Sequence, residues 1–127
     1  MTPNQPRLLR PDSFHTHYDT DDGGFKVGVA IDGERHGSRL AFGVKWIRRG
    51  TERVDWRADD VTHEAYYMQQ GTLRVTWADP QAGESTLRTG DCFYLPPGRD
   101  YSLQNVGDDD LVLVWAMTPP ADDAGGS

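Results

Sequence analysis

The sequence predicts an all-β domain, a sandwich or barrel of short strands. Three observations carry this. Short runs rich in β-branched and aromatic residues recur from Phe25 to Met117. Gly, Pro, Asn or Asp punctuates most of the gaps between them. No stretch keeps a helical period for about three turns.

The elements follow in chain order. The opening "MTPNQPRLLRPD" holds three prolines and no periodicity, so residues 1–12 read as an N-terminal arm, suited to cross to a partner subunit. "HTH" at His15 to His17 precedes the acidic turn "YDTDDGG". Residues i and i+2 of a strand share a face, so His15 and His17 would suit a metal; a solvent-facing edge is the simpler account. "FKVGVAID" (Phe25 to Asp32) and "RLAFGVKWI" (Arg39 to Ile47) are strands flanking the turn "DGERHGS", where His36 is expected to be exposed. Next come "EAYYMQQ", "TLRVTWA", "STLRTGDCFYLP", "DYSLQNV" and "DLVLVWAM". The apolar run "LVLVWAM" predicts burial of both faces, with core on one side and a second layer or another subunit on the other. Cys92 in "DCFYL" reads as a small buried hydrophobe. The barrel is expected to span residues 13–118, and 119–127 to form a disordered tail.

Composition limits the function. A chain of 127 residues suits one domain that can bury a core unaided. A single cysteine excludes an internal disulfide and fits a reducing compartment. No basic-then-apolar start and no span-length apolar run is present, so a cytoplasmic, membrane-free protein is expected. Thirteen basic against 20 acidic residues, a net charge of −7, argues against nucleic acid as a partner. The last strand and the arm predict a homodimer.

"EAYYMQQGTLRV" followed by "GDCFYLPPGRDYSLQN" resembles the two signature motifs of the cupin superfamily. The first motif ends on Glu64 and Gly71 with six residues between them, and the second is met at Gly90, Pro96, Gly98 and Asn105. The resemblance covers about Arg39 to Thr118. It implies a double-stranded β-helix, a barrel of jelly-roll type. Within the superfamily, "VDWRADDVTHEAYYMQQGTLRV" is similar in style to the ethanolamine-utilisation cupins. Small cupins acting as cyclases, epimerases and lyases are similar to the same degree.

Metal-binding cupins use three histidines and the glutamate. Here the first two histidine positions fall on Ala58 and Asp60, on Arg57 and Asp59, or on Trp56 and Ala58, depending on the count, and the third is Tyr101. Only Glu64 remains. A substitute metal set would draw on Glu64, Tyr101 and either Asp60 or His63. His63 neighbours Glu64 on a strand, so it should face away if Glu64 faces inward.

A strand from Glu64 places Tyr66 and Met68 on the same face, and Tyr101, Leu103 and Asn105 share another. An interior with Glu64, Tyr66, Tyr101 and Asn105 among apolar walls suits a small-molecule ligand. Trp46, Trp56, Trp77 and Trp115 would supply flat walls or core. Lys45, in an otherwise apolar strand whose facing is open, and Arg57 are candidate cations for an anionic ligand. Burial would raise the pKa of Glu64, and a raised Glu beside a Tyr hydroxyl can exchange protons. The expected function is therefore a small-molecule isomerase, cyclase or lyase using Glu64, Tyr66 and Tyr101, with Trp56, Met68, Asn105, Lys45 and Trp115 around the ligand and no metal cofactor favoured. The alternatives are a metal-dependent cupin with a rearranged ligand set and a non-catalytic binding module. In the last case Glu64 would be a satisfied internal carboxylate bonded to Tyr101.

Overall fold

The computed structural model describes residues 5–57, 59–78 and 81–120, without the side chain of Arg57. Most of the expected tail and the first residues of the arm lie outside the described residues.

Ten strands form among the described residues: β1 (His15–Tyr18), β2 (Phe25–Ile31), β3 (Ala41–Ile47), β4 (Val54–Arg57), β5 (His63–Gln70), β6 (Leu73–Trp77), β7 (Gly83–Leu87), β8 (Cys92–Leu95), β9 (Asp100–Asn105) and β10 (Leu111–Thr118). One sheet runs β1-β2-β3-β10-β5-β8 and the other β4-β9-β6-β7. Every pairing is antiparallel. The two inner faces enclose a core that includes Phe25, Ile47, Leu73, Leu95, Leu103 and Leu113. This is the all-β jelly-roll architecture expected. No helix among the described residues is long and apolar enough to cross a membrane.

Side-chain alternation sets which residues face inward. In β5, Glu64, Tyr66 and Met68 are buried while His63, Ala65, Tyr67 and Gln69 are exposed. In β9, Tyr101, Leu103 and Asn105 are buried. β10 lies between β3 and β5. Its alternate residues Leu111, Leu113, Trp115 and Met117 are buried. Val112, Val114 and Ala116 are only half-buried on the outer face. This chain alone thus buries one face of the apolar run and leaves the other half-buried, on the side where a second layer or another subunit is expected.

Three expectations are corrected. Cys92 is exposed. It sits on the outer face of edge strand β8, opposite Tyr67, and the inward positions go to Phe93 and Leu95. "STLRTGDCFYLP" is not one strand but two, β7 and β8, because a turn at Thr89–Gly90 splits it. His36 is half-buried at the end of the one-turn helix α1 (Gly33–His36), where its Nδ1 accepts the Asp32 backbone N–H at 3.2 Å.

The turns obey their own chemistry. Gly71 links β5 to β6 at φ +92°, and a Cβ there would lie 2.6 Å from Leu111 Cβ. Asp32 caps α1, accepting the Arg35 N–H at 2.6 Å and the Arg35 Nε at 2.8 Å. Burial alone would raise the Asp32 pKa, but these Arg35 hydrogen bonds and charge together hold it below 3.8.

Two predictions follow from these turns. Gly71→Ala should cost about 2 kcal/mol, read as a melting point lower by about 6 °C. Gly90→Ala should cost less, since φ there is +93° but nothing stands within 4 Å of the added carbon. The second concerns pH. A depressed folded pKa means Asp32 stabilises above its unfolded value and loses that contribution as pH falls through the folded one. Asp32→Asn should therefore melt lower than the parent at pH 7, and the gap should narrow towards pH 3. A gap independent of pH would refute this account.

Candidate functional site

The core face of the six-stranded sheet brings together three polar side chains that apolar packing would otherwise exclude. Lys45 comes from β3, and Glu64 and Tyr66 come from β5, with β10 between them. Lys45 is fully buried, Tyr66 is 1% exposed and Glu64 4%. Alternation in β3 turns Ala41, Gly43, Lys45 and Ile47 inward, which settles the face of Lys45. Two strand spacings separate β3 from β5, about 10 Å, so only long side chains can meet above β10.

They do meet. Lys45 Nζ donates to Tyr66 Oη at 3.1 Å and lies 3.6 Å from Glu64 Oε2. The second distance is an ion pair without a direct hydrogen bond, and Glu64 Oε2 has no hydrogen-bond partner among the described residues. Burial raises the Glu64 pKa, and the Lys45 charge opposes it without winning. Burial also pushes the Tyr66 hydroxyl well above 10, helped by the negative charges of Glu64 and Asp19. Tyr66 is thus a proton donor rather than a phenolate.

Trp56 stands at the edge of this group. Its ring centre is 5.6 Å from Lys45 Nζ and 5.1 Å from the Tyr101 ring. The Nε1 atoms of Trp56 and Trp115 are buried donors without a hydrogen-bond partner among the described residues. Trp115 is fully buried on β10 opposite Tyr66, and a Cβ on Gly43 would lie 2.8 Å from its ring. A cleft of about 420 Å³, lined by Asp55, Trp56, Asp100, Tyr101 and Ser102, reaches Trp56 from outside.

The remaining expected residues go elsewhere. Tyr101 does not bond Glu64; it donates to the Pro96 carbonyl at 2.7 Å and so ties β9 to the Pro-Pro-Gly turn. Burial pushes its hydroxyl up to about 12, although Arg99 pulls it down. Asn105 does not offer its amide to a ligand. Nδ2 donates to Ile47 and Asp109 carbonyls at 2.9 and 3.0 Å, and Oδ1 accepts the Gly107 N–H at 3.0 Å, so it anchors the β9–β10 turn. Met68 is core. Trp77 packs partly against the core, whereas Trp46 is half-buried under Lys26 on the outer face. The Arg57 side chain lies outside the described residues.

The rearranged metal set does not assemble. His63 faces outward, stacked on Tyr94, with 2.6 Å between Nδ1 and Oη. Asp60 is exposed beside Gly98. One carboxylate and two phenols already engaged are a poor donor set for iron or manganese. Among the described residues, no group of three or more His, Cys, Asp or Glu side chains is placed to hold a metal ion.

His15 and His17 share a face, as expected, and align with Val29 and Val27 on edge strand β1. His15 remains exposed and His17 half-buried, its Nε2 3.3 Å from Asp19. Asp19 was overlooked because it falls in the acidic turn, where nothing in the sequence separates it from its solvated neighbours.

Comparison with known proteins places this geometry. Residues 47–117, more than half of the chain, match the family described as Cupin domain. No curated protein matches the chain. The Schizosaccharomyces pombe Cnp3 cupin domain is similar at 20% identity and a TM-score of 0.64, over 75% of this chain and 61% of that one. Clostridium difficile EutQ is similar at 18% identity and a TM-score of 0.62, over 81% and 67%. FeII HppE is similar at 13% identity and a TM-score of 0.73, over 88% and 60%. The chain thus spans about three-fifths of the Cnp3 domain and of HppE. At these identities the likeness is one of fold. Together with the family match and the Gly71, Gly90, Pro96, Gly98 and Asn105 spacing, it shows that the chain belongs to the cupin family.

Proposed function

We propose that this cupin is a small-molecule enzyme working by acid–base chemistry at Lys45, Tyr66 and Glu64, of isomerase, cyclase or lyase type. One observation carries the reading. A Lys–Tyr hydrogen bond and a carboxylate with an unpartnered oxygen converge inside an apolar barrel. Buried polar groups are ordinarily satisfied, so a free carboxylate oxygen beside an ammonium and a phenol suits an arriving ligand.

The roles follow from the charges. Glu64, its pKa raised by burial, is a stronger base than an exposed carboxylate and can take a proton from carbon or oxygen. Tyr66 stays protonated and supplies one, and Lys45 stabilises negative charge developing on the ligand. Trp56 lines the outer cleft and has its ring centre 5.6 Å from Lys45 Nζ, which makes it the residue that links cleft and triad. Tyr101 and Asn105, which anchor turns, leave the catalytic list.

A second reading has its own support. Lys45, Tyr66 and Glu64 are nearly inaccessible, as members of a structural knot in a non-catalytic module would be. Hydrogen–deuterium exchange at the α-carbon of enolisable keto acids and keto sugars, followed by NMR in D2O, separates the two. The parent should accelerate exchange for at least one of them. Glu64→Gln should lower that rate by about 100-fold or more, and Tyr66→Phe should lower it while preserving far-UV circular dichroism. Full exchange activity in Glu64→Gln would end the catalytic proposal.

A further inference from the structure

We infer that the ammonium of Lys45 is the resident cation of this barrel, taking the electrostatic place that a divalent metal holds in metal-binding cupins. The inference concerns charge balance and stands whether or not the site is catalytic.

A carboxylate at 4% exposure requires a compensating charge, because burying an isolated ion is far costlier than burying a pair. For Glu64 the compensating cation is Lys45, whose Nζ stands 3.6 Å from Oε2. The donors expected for a metal are turned to other tasks. Tyr101 is bonded to Pro96, His63 to Tyr94, and Asp60 lies exposed beside Gly98; Tyr66, next to the carboxylate, accepts from Lys45 itself. The ammonium is also held on its apolar side, with the Tyr66 and Trp56 ring centres at 4.9 and 5.6 Å. A metal entering here would have to displace a covalently tethered cation and overcome its repulsion.

The residues that fix this arrangement lie on different strands, so it reflects the fold rather than a local motif. Lys45 also lies just outside residues 47–117, the part of the chain that matches the family. A single cation on a fixed stem has one consequence for the ligand. It favours a molecule presenting one carbonyl or carboxylate oxygen over one that chelates through two.

The test combines metal uptake with a double-mutant cycle on untagged, chelator-treated protein. Addition of Mn(II), Fe(II) under anaerobic conditions, Ni(II) or Zn(II) to the parent should leave the melting point unchanged and give no stoichiometric binding heat. Lys45→Met and Glu64→Gln should each lower the melting point by about 10 °C, because each strands a buried polar partner. The double variant should recover most of that loss, since the stranded partner is gone. If a single variant does not fold while the double variant does, the coupling is shown in stronger form. The inference is overturned if the parent takes up one equivalent of any of these metals and Glu64→Gln abolishes the uptake. It is equally overturned if the losses of the two single variants simply add in the double. Neither outcome depends on turnover. Full exchange activity in Glu64→Gln would end the catalytic proposal and leave the ion pair standing.

Discussion

Glu64 sets a carboxylate on the core face of β5 at 4% exposure, and much of the interior answers to that charge. Its neighbours along the strand face, Tyr66 and Met68, are core residues and cannot neutralise it. Compensation has to come from another strand, and it must arrive on a side chain long enough to pass over β10. Lys45 meets both conditions. Because the pair is buried, its attraction is screened far less than a surface pair would be, and salt has little access to it. The surface pairs such as Arg48–Asp22 and Arg53–Asp55, more than half exposed, belong to a different energetic class and contribute little.

The same burial shapes the acid–base character of the group. Desolvation pushes the Glu64 carboxyl and the Tyr66 hydroxyl in the same direction, towards the protonated form. For Tyr66 burial and the charges of Glu64 and Asp19 act together, so it remains a donor. For Glu64 the Lys45 charge opposes burial, which brings the carboxyl closer to balance than either effect alone would. Two groups on one strand, two residues apart, thus acquire different roles from one cation placed beside both. This is environment acting where residue type cannot.

Much of the fold was legible in the sequence because backbone requirements leave few solutions. Gly71, Gly90 and Gly98 all take positive φ, which other residues reach only under strain. The likeness to the cupin motif put Glu64 inward, and a strand period of two then turned its neighbour His63 outward. The face of Lys45 was not legible. "RLAFGVKWI" is apolar on both sides of the strand, and alternation needs a contrast to register against. Phe42, Val44 and Trp46 occupy the outer face of β3 and hide the signal. Cys92 misled as well, since it is exposed on the outer face of β8. Hydrophobicity predicts burial only where a second layer exists to cover it, and the outer face of this sheet stays half-open among the described residues.

The site was legible in part, and the division has a physical basis. Motif positions of the fold serve either the backbone or the chemistry. The first kind is tied to one place. Asn105 accepts the Gly107 N–H and donates to the Ile47 and Asp109 carbonyls, and no residue elsewhere could close that turn. The second kind is not tied, because a barrel interior can be reached from any strand that lines it. A charge supplied from β4 or β9 can be replaced by one from β3, provided the side chain is long enough. Reading the motifs alone therefore finds the turns and overlooks the cation. Tyr101 illustrates the converse. It occupies a position that carries chemistry in metal-binding cupins, yet its hydroxyl holds the Pro96 carbonyl. Here the hydroxyl serves the turn instead. On the inference that Lys45 is the resident cation, the absent histidines and the inward lysine belong to one way of balancing the charge of Glu64.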